Sequence, residues 1–296
     1  MSPPRAFVPF PRDLQPVRLV RRRNRFVVEV RWDAEARKSG VPAVGSVGEF
    51  QDGGKHARTV GTEPEAPDLP TESRDLLSLH LPNSGRMMEL LQPGTLGLAQ
   101  IDTREGRGTA GTLLLVQYEG RWVSVDARMP NRLFARCLEA GGLSPFQGYT
   151  TWKAEVSWGQ SRVDFLLSRR HMPNPEQPLP VNGSKNPSNK PSFFLVETKS
   201  CNLVVDGLAL FPDAPTTRGT RHLRELAEAV AMGYRAAVVW FVQRDDAKAL
   251  AAHGEADPDF ARALADARAR GVEAYAYRCL VEPSGITVLD EVPVEG

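Results

Sequence analysis

Two strand-length apolar runs, Val163–Leu167 and Phe193–Val196, each carry an acid at or beside one end, and this pattern constrains the chain more than any other. Runs this apolar are buried on both faces of a sheet, and a carboxylate next to them needs a partner. The first run is the second arm of a hairpin. Extended residues from Tyr149 to Trp158 meet Gly159-Gln160, with glycine where a II′ turn requires positive φ. In that register Trp158 pairs with Ser161, Ser157 with Arg162, Val156 with Val163, and Glu155 lies opposite Asp164. Facing like charges repel by a few tenths to about 1 kcal/mol, so the pair invites a cation. The second run leads into Glu197-Thr198-Lys199, where positions i and i+2 put Glu197 and Lys199 on one face. Glu155, Asp164, Glu197 and Lys199 on one sheet surface suit metal-dependent phosphodiester hydrolysis. The acids hold Mg²⁺ or Mn²⁺ through oxygen, and the lysine orients water or neutralises the phosphorane. The plain alternative is a surface Glu-x-Lys ion pair of little consequence.

At 296 residues the chain is long enough for two domains with separate cores. Its 41% hydrophobic and 25% charged content is that of an ordinary soluble protein. The net charge of +1 hides a basic block, Arg18, Arg21, Arg22, Arg23, Arg25 and Arg31. Such a block suits a phosphate backbone, and a solvated edge strand gives the same pattern. The three cysteines, Cys137, Cys201 and Cys279, are far apart and form no CxxC spacing, which fits a reducing cytoplasm. The start, Met1-Ser2-Pro3-Pro4-Arg5, lacks the apolar stretch of a signal peptide. The apolar run Arg235–Val242 is too short to cross a bilayer, so no membrane role is expected.

Along the chain, Val17 to Trp32 reads as one long strand, and Asp33 to Asp75 as a flexible insertion rich in Gly, Pro, Ala and Glu. Short β-like runs at Ser78–Leu81, Thr95–Ile101, Thr112–Tyr118 and Trp122–Val125, with turn residues between them, suggest a small barrel or sandwich. Arg128–Ala140 reads as a helix ended by Gly141-Gly142. After the hairpin comes a second polar stretch, His171–Pro191. Strands at Phe193–Thr198, Asn202–Val205, Ala236–Val242 and Val272–Arg278 then alternate with helices at Gly219–Met232 and Asp257–Arg270. That order predicts a mixed α/β sheet.

Several runs in order carry a resemblance: His80-Leu81-Pro82-Asn83-Ser84-Gly85-Arg86-Met87, Ser161-Arg162-Val163-Asp164-Phe165, Val196-Glu197-Thr198-Lys199 and Phe211-Pro212-Asp213-Ala214-Pro215-Thr216-Thr217-Arg218-Gly219. With Arg221-His222-Leu223 and Gly271-Val272-Glu273, they resemble the sugar fermentation stimulation protein A family. The resemblance implies a mixed α+β chain. An N-terminal OB-like β-barrel over residues 1–126 carries the insertion at about 33–75. An α/β domain similar to PD-(D/E)XK nucleases follows over 127–296, with a loop insertion at about 171–191. It also implies DNA binding, with DNA ahead of RNA as partner. Matched by motif, Asp164 and Glu197 stand where the family has its two strand acids and Lys199 where it has its lysine, with Glu155 and Asp213 as further acids at the metal edge. Thr198 stands where valine is commoner, and its side chain is expected to face away.

Candidate nucleic-acid contacts are Arg21, Arg22, Arg23, Arg25, Arg86, Arg218 and Arg221. Arg218 and Arg221 lie at a helix N-terminus, where positive charge opposes the dipole and an anionic visitor would offset it. Asp213 reads either as a helix cap or as an outer acid, Thr216 or Thr217 as the cap. His222 reads as a satisfied core histidine or as a phosphate contact. Trp122, Trp152 and Trp158 read as packing residues before base platforms. The first functional reading is a DNA-binding, divalent-metal nuclease. The alternative is a non-catalytic DNA-binding regulator of sugar-catabolism genes on a nuclease scaffold. A carbohydrate-processing enzyme would use Glu155 and Asp164 as an acid/base pair, and it leaves Lys199 without a role.

Overall fold

The computed structural model describes residues 5–33, 35–36, 76–102, 108–169 and 192–296. The expected insertion at 33–75 falls almost wholly outside these residues, and the second one, at 171–191, wholly so. Strand β1 (Ala6–Pro9) precedes a barrel of β2 (Gln15–Asn24), β3 (Val27–Trp32), β4 (Leu77–His80), β5 (Leu96–Ile101) and β6 (Gly111–Tyr118), with β7 (Arg121–Ser124) hairpinned onto β6. The order is β4-β3-β2-β5-β6-β7, and His80 of β4 meets Thr112 of β6 in parallel, which closes five strands into a barrel. Closure removes exposed edges. Val17, Leu19, Val28, Val30, Leu79 and Leu113 fill the interior.

Two expectations change here. The single strand over Val17–Trp32 is a hairpin, because Asn24 Oδ1 accepts the Phe26 N–H at 2.8 Å and turns the chain at Arg25-Phe26. The solvated-edge reading of the basic block also fails, since β2 lies between β3 and β5. Register shifts at Leu19/Arg21 and Arg22/Asn24 interrupt its alternation, so neighbouring arginines reach the outer surface.

The second domain comprises α1 (Met129–Glu139), β8 (Thr151–Trp158), β9 (Ser161–Ser168), β10 (Phe193–Cys201), β11 (Val204–Val205), β12 (Leu208–Phe211), α2 (Thr217–Ala231), β13 (Arg235–Val242), β14 (Ala249–Ala252), α3 (Pro258–Ala269), β15 (Glu273–Glu282), β16 (Gly285–Val292) and β17 (Val294–Glu295). Its main sheet runs β1-β16-β15-β13-β10-β9-β8, and a small one runs β11-β12-β14-β17. One segment sits outside the sequence-based partition: β1, assigned with residues 1–126, pairs with β16 and edges the second domain's sheet.

Crossovers through α2 and α3 make β10, β13 and β15 parallel, as connections of this length must. On one sheet face α2 and α3 bury Leu223, Leu226, Phe260 and Leu264 against Val238 and Trp240. On the other, α1 buries Leu133 and Phe134 against Phe165, Phe194 and Val239. Each large side chain so buried stabilises the fold by roughly 1.5–3 kcal/mol. Both C-terminal helices start on side-chain caps, Thr216 Oγ1 accepting from Gly219 N and Asp257 Oδ1 from Phe260 N. Thr216, not Asp213, is therefore the cap of α2.

Candidate active site

The hairpin β8–β9 keeps the expected register on both sides of the acids: Ala154 pairs with Phe165, Val156 with Val163 and Trp158 with Ser161. Gly159 has φ 56° as the turn requires. The facing pair of acids is not formed, however. Glu155 takes a left-handed backbone with φ 56°, and its exposed side chain lies 3.8 Å from Arg162. The left-handed backbone at this one residue, with no shift of register, accompanies a carboxylate that sits beside Arg162 and not against Asp164. Glu155 lines no part of the cavity described below, which corrects its placement as a metal-edge acid.

Asp164 faces inward instead. Its strand pairs with β10 up to Val196 and Phe165, and Glu197 and Asp164 are the next residue on each strand. Asp164 Oδ1 accepts from Asn131 Nδ2 at 3.1 Å, and Oδ2 accepts from Thr198 N at 2.8 Å. The Thr198 hydroxyl lies 2.9 Å from Asp164 Oδ2 and 2.8 Å from Asn131 Oδ1. Thr198 points away from Glu197 and Lys199 as expected, yet it is not idle: it holds Asp164. Burial, and next the charge of Glu197, push the pKa of Asp164 above its ordinary value.

Glu197 is nearly sealed, its side chain 4% exposed. Its Oε1 accepts from Lys199 Nζ at 2.5 Å and from His222 Nδ1. Oε2 is buried with no hydrogen-bond partner among the described residues. Burial opposes ionisation here, but the charges of Lys199 and His222 override it and hold the carboxyl at about 2. Arg218 Nε lies 3.3 Å from His222 Nε2, on the other side of the ring. His222 is buried, as one sequence reading had it, but its partner is an acid of the site. The usable signal was the i,i+4 spacing of Arg218 and His222, which puts both on one face of α2. Asn131 carried no signal at all.

A cavity of about 520 Å³ opens over these groups, with Asp164, Glu197 and Lys199 on the sheet side and Arg25, Asn83 and Gly85 on the barrel side. Arg218 lines it too. Asp213 also lines it, but its Oδ2 accepts from Met87 N at 2.9 Å. A Cβ on Gly85 would come within 2.7 Å of that oxygen, so glycine is what lets the barrel turn approach. Asp213 thus ties the two domains together rather than joining Asp164 and Glu197. Among the described residues, no three acids, histidines or cysteines converge closely enough to hold a metal ion by themselves.

The arginines divide. Arg21 bonds Glu29, and Arg22 spends its guanidinium on the carbonyls of Asn24, Arg25 and Arg86. Arg221 donates to Ser161 Oγ at 3.0 Å. Arg23, Arg25 and Arg86 are exposed, and only Arg25 of these lines the cavity. Trp152 and Trp158 pack edge-on against Phe165 and Tyr234.

Residues 65–125 match the model of the SfsA N-terminal OB domain, and residues 128–285 match that of the sugar fermentation stimulation protein RE domain. A sugar fermentation stimulation protein homolog of Moorella thermoacetica is 44% identical over 216 residues, 73% of this chain and 85% of that protein. This chain belongs to the sugar fermentation stimulation protein family. A homolog from Chloroflexus aurantiacus is 42% identical over 219 residues, covering 74% of this chain and 77% of its own. Among solved structures, Pyrococcus furiosus SfsA, determined in complex with Ca²⁺, superposes with a TM-score of 0.70 over 98% of this chain and 99% of that one, at 24% identity. The family's barrel and α/β domain are therefore both present here, in the family's order.

Proposed function

We propose that this family member binds nucleic acid in the cleft between barrel and α/β domain and hydrolyses phosphodiester bonds there with a divalent metal. The observation that carries the reading is that Asp164 and Glu197 are the residues next to the last β9–β10 pair, Phe165 and Val196, and line one cavity with Lys199, Arg25 and Arg218.

The residues suit Mg²⁺ or Mn²⁺. Glu197 offers a buried, unpartnered oxygen, and Asp164 a carboxyl whose pKa burial and the charge of Glu197 raise, a strain that a bound cation would relieve; both are hard donors. Mg²⁺ commonly takes one or two carboxylates and fills its remaining positions with water and substrate phosphate, so a two-acid site suffices. The Ca²⁺ in the archaeal relative's structure is an ion of the same oxygen-seeking kind. When bound, the metal supplies Lewis-acid stabilisation of the phosphate oxygens and a more acidic water.

The chain's own groups do the rest. His222 and Lys199 fix Glu197 in one rotamer, and Asn131 and Thr198 fix Asp164. Lys199 Nζ, 14% exposed by its side chain, can donate to an attacking water or to the phosphate. The barrel holds the strand: OB barrels bind nucleic acid through one face of the sheet and their loops. DNA stands ahead of RNA on the family resemblance. The test is cleavage of labelled oligonucleotides with Mg²⁺ or Mn²⁺, by wild type and by Lys199→Met. Cleavage lost in the variant supports the reading, and no cleavage by scrupulously pure wild type removes it.

One observation favours a second reading. Glu197 is already satisfied on Oε1 by both Lys199 and His222, as in a scaffold that binds DNA to regulate sugar-catabolism genes without turnover. That protein would bind with unchanged affinity after Lys199→Met and cut nothing before it.

A further inference from the structure

We infer that the cavity over Asp164, Glu197 and Lys199 takes an unpaired polynucleotide strand in preference to a base-paired one. What happens to that strand rests on the nuclease reading above; its binding does not.

Glu197 and Lys199 line the cavity yet are only 4% and 14% exposed. A phosphate must enter to reach them. The opposite wall is the barrel turn with Asn83, Gly85 and Met87, and that wall is fixed in place. Met87 N donates to Asp213 Oδ2 at 2.9 Å, and Ala127 N to Pro82 O at 3.0 Å. Asn202 Nδ2 donates to Ser124 O, and Gln243 Nε2 to Asp126 O at 3.3 Å. Arg244, 2% exposed, lies 5.3 Å from the Tyr118 ring and 3.8 Å from Glu119. Opening the cleft would break all of these interactions at once and replace them with bonds to water, a loss of roughly 0.5–1.5 kcal/mol for each hydrogen bond. The strand must therefore fit the space that exists.

That space, about 520 Å³, is within the range of small-molecule pockets. It has room for a nucleotide or two. A duplex, whose major groove alone is about 12 Å wide, is far larger than this volume, so at most one of its strands could enter. The lining suits the unpaired form. Arg25 and Arg218 both line the cavity, as does the N-terminus of α2 with Thr216 and Thr217. The backbone N–H groups of Thr217 and Arg218 make no hydrogen bond among the described residues, which leaves donors for a phosphate. Met87, Leu203, Leu210 and Pro212 add apolar wall. An apolar wall is of use to a base whose faces are free, and in a duplex those faces are stacked.

Fluorescence anisotropy in chelator, so that nothing is cut, tests the binding. The probes are a short labelled DNA strand, its RNA counterpart and a hairpin duplex of the same sequence. One or both strands should bind roughly ten-fold tighter than the hairpin, the scale of one stacked base, and the two strand arms decide between deoxyribose and ribose. Ser84→Trp, at an exposed turn position on the cavity wall, should cost the strand about the same factor with the melting temperature unchanged. If that variant melts early, Arg25→Ala provides the same comparison. A hairpin bound as tightly as either strand, or strand affinity untouched by the variants, overturns the inference. Adding Mn²⁺ separates the two proposals. Strand preference without cleavage removes the nuclease reading and leaves this one standing. Interior cleavage of a fully paired duplex as fast as of the strand does the reverse.

Discussion

At the residue scale the site is two acids held in opposite senses. Glu197 ionises at about 2 in the folded chain, against about 4.3 for an unfolded glutamate. The folded state therefore binds that proton more weakly, and the stability it confers is complete above about 4.3 and lost as pH falls through 2. The shift corresponds to about 3 kcal/mol. The melting-temperature advantage of wild type over Glu197→Gln should accordingly narrow between pH 5 and 2, and a constant gap would show that Lys199 and His222 do not hold the charge. Asp164 is raised by burial and by Glu197, so its charge costs stability at neutral pH and that cost falls as pH drops towards the folded value. Asp164→Asn keeps an acceptor for Thr198 and removes the charge. It should abolish metal-dependent cleavage while raising metal-free stability by roughly 0.2–1 kcal/mol, the scale of facing like charges. The relief comes from Glu197, not from Glu155, whose side chain is exposed beside Arg162. Calorimetry in chelator, with and without the substitution, reads it directly.

At the element scale the basic hairpin β2–β3 and helix α2 do most to join fold and chemistry. The arginines looked alike in sequence, and they are not. Arg22 is committed to three backbone carbonyls at the turn, whereas Arg23 and Arg25 are exposed. Charge reversal at Arg23 and Arg25 should weaken nucleic-acid binding for every sequence and lower the salt slope by about one per lost phosphate contact. Arg22→Glu should instead lower the melting temperature. Equal effects from all three in a filter-binding salt titration would remove the distinction. Helix α2 combines a cap at Thr216, core residues at Leu223 and Leu226, and His222 against Glu197. Its amphipathic face was legible from spacing. That His222 reaches across to β10 was not, because periodicity fixes a face and not the neighbour that meets it.

At the scale of the whole molecule the two domains are tied by more than a linker. The first strand crosses to the second domain's sheet, and Arg244, buried at the junction, pairs with Asp246 at 2.6 Å. Arg244→Ala leaves Asp246 and the Tyr118 ring without their cation, and removal of one partner of a buried pair costs about 3–5 kcal/mol. Thermal unfolding should show it, and a loss within 0.5 kcal/mol, the usual surface effect, would mean that the junction is solvated. Residues 37–75 connect β3 to its neighbour β4, Val30 pairing with Leu77. Deleting most of residues 37–72 with a short spliced connection should keep the melting temperature within a few degrees, since loop closure becomes slightly easier as a loop shortens. A drop of many degrees would show that the segment packs on the barrel.

The sequence by itself determined the hairpin register through Trp158 and Ser161, the common face of Glu197 and Lys199, the three helices and the α/β alternation. Each follows from local rules of period, turn chemistry and capping that act within a few residues. Which acids meet was settled by long-range packing. Glu155, left-handed in its backbone, stands exposed beside Arg162, and a close approach at Gly85 drew Asp213 to the barrel. Asn131, Thr198 and His222, from two helices and the far face of a strand, became the partners that hold Asp164 and Glu197. Those choices are set by long-range packing and by the cost of leaving a buried polar group unsatisfied, which no window of sequence contains.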